Sequence, residues 1–369
     1  MLSAAFCALV LALWAFLVIG ALREGDRFRL RPAPPPDPPP TVSVVVPARN
    51  EAHQIAACVA SLRAQTLVPC EIVVVDDASS DGTADVVRAL PDHAVPVILV
   101  QGTPPPRGWV GKNHALVQGL PRTKGEWFLF TDADTDHAPD ALASALAFAI
   151  ATGSALVSLT GDQRAEGFFE KIVQPLVFRL LDALYPLSAA NSQDPTRAAA
   201  NGIYLLLRRD AYEAVGTHAA LRGEILEDVA IARAVRAAGW RVAFLRGADH
   251  LRVRMYREGG ALWEGWTKNL WLLLGASPAR AAFAAVAALV AGPLPLAMLL
   301  YDGAAAWVAI TGSIGAEAWL RTRGRGDPGW ALALPLGGLL LAVMIGDSAR
   351  RHLGGKGIRW KGRNYPSSP

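Results

Sequence analysis

Apolar positions along the chain fall into long runs at the two ends and short runs between them. Residues 2–22 form one uncharged stretch, long enough to cross a bilayer as a helix of about twenty residues. From Thr41 the runs shorten, and residues 42–46, 71–75, 95–100 and 127–131 are β-branched or aromatic and read as buried strands. Between them, residues 51–65, 81–90 and 112–120 have helical spacing, with Ser80 or Asp81 as N-cap of the second. Strands alternating with helices predict an α/β fold with a mostly parallel central sheet covered on both faces. After Arg280 the long runs return at residues 281–301, 304–320 and 330–345. The first and third read as membrane spans, whereas the middle one is short, contains Glu317 and suits an interfacial position. The expected organisation is an anchor (1–22), a basic and Pro-rich linker (23–40), an α/β domain (41–275), a transmembrane region of two or three helices (276–349) and a basic tail (350–369).

Composition sharpens this picture. Hydrophobic residues make up 52% of the chain, and the excess lies in the terminal runs. The net charge is +4, but the arginines are scattered or flank apolar runs and form no basic stripe with aromatics. That favours an anionic membrane surface over nucleic acid as partner. The first run lacks a basic n-region and a cleavage site, so it reads as a retained anchor. Arg23, Arg27, Arg29 and Arg31 follow it, which by the positive-inside rule places the next domain in the cytoplasm of a multi-pass inner-membrane protein. Residues 32–40 are nearly all proline and predict an extended spacer of roughly 3 Å per residue. Arg321, Arg323 and Arg325 ask for a cytoplasmic loop, while Arg350, Arg351, Lys356, Arg359, Lys361 and Arg363 ask for a cytoplasmic tail. Both are met only if one apolar stretch is re-entrant or lies flat. Cys7, Cys58 and Cys70 have neither metal-ligand nor redox spacing, which fits a reducing compartment.

In parallel α/β sheets ligands bind outside the carboxyl ends of the strands. Pro47, Arg49 and Glu51 after the first strand, Asp76 and Asp77 after the second, and Asp132 and Asp134 after the fourth are therefore expected to converge on one crevice. In an extended segment Asp132 and Asp134 share a side, with Ala133 between them. Two carboxylates so placed make a hard-oxygen site for Mn²⁺ or Mg²⁺, which leaves further positions to water and phosphate. The opening turn Pro47-Ala48-Arg49-Asn50-Glu51 is neither a dinucleotide fingerprint nor a P-loop, so a diphosphate here needs a metal to neutralise it. Glu227 and Asp228 begin a helix whose Ile231, Val235 and Ala238 share a face and whose end is marked by Gly239. Acids at a helix start are also favoured by the dipole alone. Neighbours point about 100° apart, so both do not reach one proton. Lys112 either reaches a diphosphate or the nearby carboxylates, or is solvated, and Trp109 either stacks on a sugar or packs. His250, Arg252, Arg254 and Arg257 form a basic cluster suited to diphosphate or, more readily, to anionic headgroups. Residues 168–185 place Phe169, Ile172, Val173, Leu176, Leu180 and Leu184 on one face, with Glu170, Lys171, Gln174 and Arg179 elsewhere. This is a core helix or an interfacial helix that guides a lipid.

The stretches VSVVVPARNEAHQI from Val42, EIVVVDDASSDGT from Glu71, the DxD at Asp132–Asp134 and ILEDVAIARAVRAAGWRV from Ile225 resemble the family 2 glycosyltransferases, which have the GT-A fold. All four occur in the expected order across about two hundred residues. PRGWVGKNHAL, LVSLTGD, ALYPLSAAN and the terminal WKGRNY are similar to the membrane-bound branch that glycosylates lipids, hopanoid-associated and carotenoid enzymes among them. The resemblance implies that Asp76 or Asp77 contacts the uracil or ribose of a nucleotide sugar, and that Pro47, Arg49, Glu51, Lys112 and Asp132 line the same donor site. It also implies that Asp132 and Asp134 hold Mn²⁺ or Mg²⁺ on the diphosphate, and that Asp228 is the catalytic base with Glu227 in support. The implied reaction transfers a sugar, with inversion, from a nucleotide sugar to a hopanoid, carotenoid or other polyisoprenoid acceptor. Alternatives are synthesis of a polyprenyl-phosphate sugar or polysaccharide precursor, and a catalytically silent nucleotide-binding membrane protein. The QxxRW signature of processive synthases is missing from RMYREGGALWEGWTKN, which disfavours a polymerase.

Overall fold

The runs at residues 42–46, 71–75 and 127–131 are buried on both faces, as central strands of a parallel sheet require, while the run at residues 95–100 lies at the sheet edge and is mostly half-buried. The computed structural model describes residues 2–354, 358–360 and 363–365, so Lys356 and Lys361 of the basic tail lie outside the described residues. The chain forms two compact units, one of residues 26–164 and 187–254, the other of residues 1–25, 165–186 and 255–369. The α/β unit is made of two stretches of the chain, with residues 165–186 belonging to the other unit.

Its strands are β1 (Val42–Ala48), β2 (Glu71–Asp76), β3 (Val97–Gln101), β4 (Trp127–Phe130), β5 (Thr135–His137), β6 (Ser154–Thr160), β7 (Asp162–Gln163), β8 (Leu205–Arg208), β9 (Arg241–Arg246) and β10 (Leu251–Val253). Seven of them form one sheet in the order β3-β2-β1-β4-β8-β6-β9, and β5, β10 and β7 form a small second sheet. In the large sheet β8 runs antiparallel to β4 and β6, and the other pairings are parallel. The expected mostly parallel sheet is present. The third strand starts at Val97 because Pro96 has no N–H to give the ladder. The helix expected from residue 51 starts only at Ile55, since the N–H groups of Glu51 and Ala52 go to Thr83 Oγ1 and Asp81 Oδ2, each at 2.9 Å. In the Thr83–Arg88 helix the cap is Gly82, in the left-handed region at φ 89, and neither Ser80 nor Asp81. Asp81 still accepts from Thr83 N at 3.0 Å.

This topology positions a site. β1 lies between β2 and β4, so the chain steps outward from β1 to β3 and returns on the other side at β4, leaving a switch point at the carboxyl ends of β1 and β4. Because β8 is antiparallel to β4 and Leu205 pairs with Phe130, the segment entering β8 reaches the end where Asp132 follows β4. The basic linker is also part of this unit. Leu30 N donates to Arg246 O at 2.9 Å, Arg29 Nε to Asp249 at 2.9 Å and Ala33 N to Ser144 Oγ at 3.0 Å. The end of the basic linker and the start of the Pro-rich spacer are therefore docked on this unit.

The second unit is helical. Leu2–Glu24 and Pro328–Leu353 are long and apolar enough to cross a membrane, and Pro278–Ala291 with Leu294–Leu300 adds a third if that pair, bent by 52°, is one span. The middle apolar stretch forms the Gly303–Arg323 helix. There Glu317 is fully buried, within 2.7 Å of Arg321 Nε and 3.9 Å of Arg179 Nε, instead of facing an interface. Gly338 lets Pro278–Ala291 and Leu334–Leu353 approach closely, because a Cβ there would stand 2.7 Å from Ala288 O. The Phe168–Leu184 helix buries Ile172, Val173, Leu176 and Val177, whereas Phe168 and Phe169 stay half exposed. Glu170, expected away from the buried face, is buried as well, since it reaches back to Glu166 N and Gly167 N at 3.0 and 3.1 Å.

Candidate active site

Lys112 sits at the start of the Gly111–Gly119 helix, which packs on β1 and β2. That helix is tied to the approach of the Glu227–Ala237 helix: Val110 N donates to Arg222 O at 2.6 Å, and buried Asn113 donates to Leu221 O and Glu224 O at 2.6 and 3.0 Å. The result is a bridge. Lys112 Nζ lies 2.8 Å from Asp132 Oδ1 and 2.7 Å from Glu227 Oε1. Burial works against its charge, but Asp132 and Glu227 outweigh burial and hold its pKa well above the ordinary lysine value. Of the two readings of Lys112 from sequence, the solvated one does not hold.

Asp228 follows Glu227 and points to a different partner, as helical neighbours do. Its Oδ2 accepts from Gly202 N at 2.9 Å and its Oδ1 from Val229 N at 2.8 Å. Burial pushes its pKa up to about 6 and the Glu227 charge adds to this, while Lys112 and the two N–H groups pull it down. A carboxylate so poised is a proton acceptor near neutral pH. The expected helix end at Gly239 is present, with φ 87.

At the carboxyl ends of β1 and β2 the remaining residues read from sequence form a second group. Arg49 Nη1 donates to Asp77 O at 2.6 Å and Ala78 O at 3.2 Å. Asp76 accepts from Ser79 N at 3.1 Å, Glu51 is buried and Pro47 half-buried. Asn50 and Ala78 both hold φ 54, a left-handed conformation that non-glycine residues keep where neighbours over-determine it. Asp134 shares the turn after β4 with Asp132. Among the described residues no group of three or more His, Cys, Asp or Glu side chains is arranged to hold a metal. Two carboxylates nonetheless suit a hard divalent ion that takes its other ligands from a diphosphate and water. Trp109 packs edge-on against His114, with ring centroids 5.2 Å apart. The basic cluster does not share one surface: His250 is buried against Asp140 at 3.3 Å, while Arg252 is exposed on β10.

Residues 43–216 match the family described as Glycosyl transferase family 2. Those residues form a Glycosyl transferase family 2 domain. The 4,4'-diaponeurosporenoate glycosyltransferase of Staphylococcus aureus strain USA300 is 29% identical over 255 residues, which are 68% of this chain and 66% of the relative. Its counterpart in strain MRSA252 is 28% identical over 256 residues, with the same coverage. This chain thus matches just under two thirds of the length of those curated relatives. Among solved structures, a mannosyltransferase from Pyrobaculum calidifontis in complex with GDP-Man and Mn²⁺ is 24% identical, covers 95% of this chain and 97% of its own, and has a TM-score of 0.57. That likeness is one of fold, and it is GT-A-like.

Gly202 was not singled out from sequence, although the small-residue stretch Ala198-Ala199-Ala200-Asn201-Gly202 before a buried strand is the signal for a close approach. A Cβ on Gly202 would lie 2.7 Å from Lys112 Nζ and 3.3 Å from Glu227 Oε1. The lysine tip must swing away from buried Glu227, so Gly202→Ala in the glycosyltransferase domain is expected to cost on the order of 1–3 kcal/mol in stability. Breaking the bridge is expected to lower sugar transfer by about tenfold or more. Melting curves beside a transfer assay check this pair of outcomes.

Proposed function

We propose that the α/β unit transfers a sugar, with inversion, from a nucleoside-diphosphate sugar to a hydroxyl of a hydrophobic acceptor of the polyisoprenoid class. The observation that carries this reading is the juxtaposition of a buried, proton-accepting Asp228 with the Asp132–Lys112–Glu227 bridge. A base beside a cationic pole is what a direct displacement with a diphosphate leaving group requires. Asp228 takes the acceptor proton, the acceptor oxygen bonds to the anomeric carbon, and the bond from that carbon to the diphosphate oxygen breaks. The nucleoside diphosphate leaves with the electron pair, next to the Lys112 ammonium. Arg49, Asp76 and Asp77 hold the nucleoside end at β1 and β2. Asp132 and Asp134 would hold a Mn²⁺ or Mg²⁺ ion, which when bound supplies charge neutralisation at the diphosphate. Glu227 keeps Lys112 in place.

The acceptor class rests on three supports. The apolar helices are long enough for a membrane, the Staphylococcus aureus relatives bear the name of a diaponeurosporenoate glycosyltransferase, and their likeness covers 68% of this chain. The arginines after the first helix favour a cytoplasmic α/β unit. The test uses membranes containing the protein, radiolabelled UDP- and GDP-sugars, and Mn²⁺ or EDTA, with label counted in solvent-extracted lipid. One donor is expected to label lipid, EDTA to abolish the label, and Asp134→Asn to reduce it by about 100-fold or more. Metal-dependent nucleotide binding without lipid label from any donor would move the acceptor to a soluble class. Absence of any nucleotide binding would overturn the reading.

A further inference from the structure

Beneath the Asp132–Asp134 turn lies a buried polar group that the proposed chemistry does not use. Thr131 Oγ1 donates to Ile203 O at 2.7 Å and lies 3.1 Å from His137 Nε2. A hydroxyl has one hydrogen, and here it goes to the carbonyl, so the threonine oxygen is an acceptor toward an N–H on His137 Nε2. Ser61 Oγ, 3.2 Å from His137 Nδ1, spends its own hydrogen on Cys58 O at 2.8 Å and accepts from His137 N at 3.2 Å. Burial pushes the His137 pKa down to about 3, so the ring is neutral and carries one N–H, which we assign to Nε2, the nitrogen with the shorter contact. Cys58 Sγ stands 3.6 Å from Asp132 O, and burial followed by the charges of Asp134, Asp132 and Asp136 raises its pKa, so it stays a thiol and donates.

The far end of this group reaches the proposed base. Ile203 follows Gly202, whose N–H holds Asp228 Oδ2 at 2.9 Å, and Asn201 N is itself held by Ser158 Oγ at 2.8 Å. The segment 201–203 is thus bonded on one side to the strand end that carries Asp132 and on the other to Asp228.

We propose that His137 is a positioning residue: by donating to Thr131 it commits the threonine hydrogen to Ile203 O and so holds the Asp132–Asp134 turn and Asp228 in register. The inference rests on the glycosyltransferase reading for its kinetic consequence, but not for its structural one. The neighbours that set Asp228 besides Gly202 N and Val229 N are Glu227, on its own helix, and Lys112, on the Gly111–Gly119 helix. Loosening Gly202 removes one N–H from the ionised form and leaves those two unchanged.

Two substitutions cut the same bond from either end, Thr131→Val and His137→Phe, and two keep it, Thr131→Ser and His137→Gln. In the full-length protein, hydrogen–deuterium exchange at the amides of residues 200–204 is expected to quicken by about tenfold in the first pair and by much less in the second. With donor and acceptor present, the first pair is expected to lose about 10- to 100-fold in kcat with donor KM within about threefold. The acid limb of the pH profile is also expected to move upward, and the second pair is expected to recover both properties. Exchange at 200–204 that does not respond in a variant retaining a cooperative melt overturns the inference. So does a kcat loss that tracks Tm without moving the acid limb, or a failure of serine and glutamine to rescue. If one cutting variant does not fold, the other tests the same bond. If no donor is turned over by the wild type while the 200–204 amides still respond, it is the glycosyltransferase reading that fails and the positioning stands.

Discussion

Asp228→Asn is expected to abolish sugar transfer while leaving the protein as stable as the wild type, or more stable, at pH 7. The loss follows from removing the role proposed for Asp228 in the displacement, acceptance of the acceptor proton, for which a general base contributes roughly 10²- to 10⁴-fold. The stability effect follows from the direction of the pKa. Burial raises the Asp228 pKa to about 6 in the folded protein, against about 3.9 in an unfolded chain. The folded state therefore binds the proton more tightly, and this contribution to stability is full below about pH 4 and lost as pH rises through about 6. At pH 7 the protein carries the cost of an ionised buried carboxylate, and asparagine removes it. Its amide oxygen still accepts from Gly202 N, so a gain on the order of 1–3 kcal/mol is expected at pH 7 and none at pH 4. The same direction predicts that wild-type kcat rises between about pH 5 and pH 7, since the base must be ionised to act. Melting curves at both pH values, run beside the transfer assay, check this. A marked drop in Tm at pH 7 would assign Asp228 a structural role instead.

The core of this fold is legible in short runs of valine and phenylalanine bounded by turn residues, because a strand buried on both faces carries apolar residues in a row without alternation and is too short to be a helix. The strand ends were legible for the same reason, and with them Asp76, Asp77, Asp132 and Asp134. Pairing across long separations was not legible. Nothing local in Leu205–Arg208 says that β8 inserts antiparallel between β4 and β6, yet that insertion brings Gly202 against Lys112 and Asp228. His137 reads as one more polar residue after the aspartates, and its two partners, Ser61 and Thr131, are chosen by packing. Likewise the four basic residues from His250 to Arg257 look like a patch in one dimension. The two-residue alternation of β10 turns Arg252 outward, and His250 is buried just before that strand.

Lys112→Met is expected to make the metal-free site bind Mn²⁺ more tightly and to make the enzyme slower. In the wild type one ammonium lies 2.8 Å from Asp132 and 2.7 Å from Glu227, so an arriving divalent ion meets a carboxylate that is already neutralised. Removing the ammonium returns that charge to Asp132. At an effective dielectric near 20, charges about 5 Å apart interact by a few kcal/mol, so nucleotide-independent Mn²⁺ affinity is expected to rise by about 10- to 100-fold. In the proposed reaction a bound diphosphate competes for the same ammonium and frees Asp132, so metal and nucleotide are expected to help each other to bind in the wild type. By reciprocity the enhancement must be equal in both directions, and it is expected to shrink in the variant. Glu227 is buried, and without its partner it becomes an uncompensated charge, which costs about 3–5 kcal/mol of stability. Added Mn²⁺ is expected to recover part of that loss. Turnover is expected to fall by about 100-fold, because the ammonium no longer meets the leaving diphosphate. Electron paramagnetic resonance of free Mn²⁺ during titration, with and without UDP or GDP, reads the affinity and the linkage directly and needs no acceptor. Equal Mn²⁺ affinity in variant and wild type without nucleotide would mean that Lys112 does not guard Asp132, and that the bridge serves only to fix the start of the Glu227–Ala237 helix.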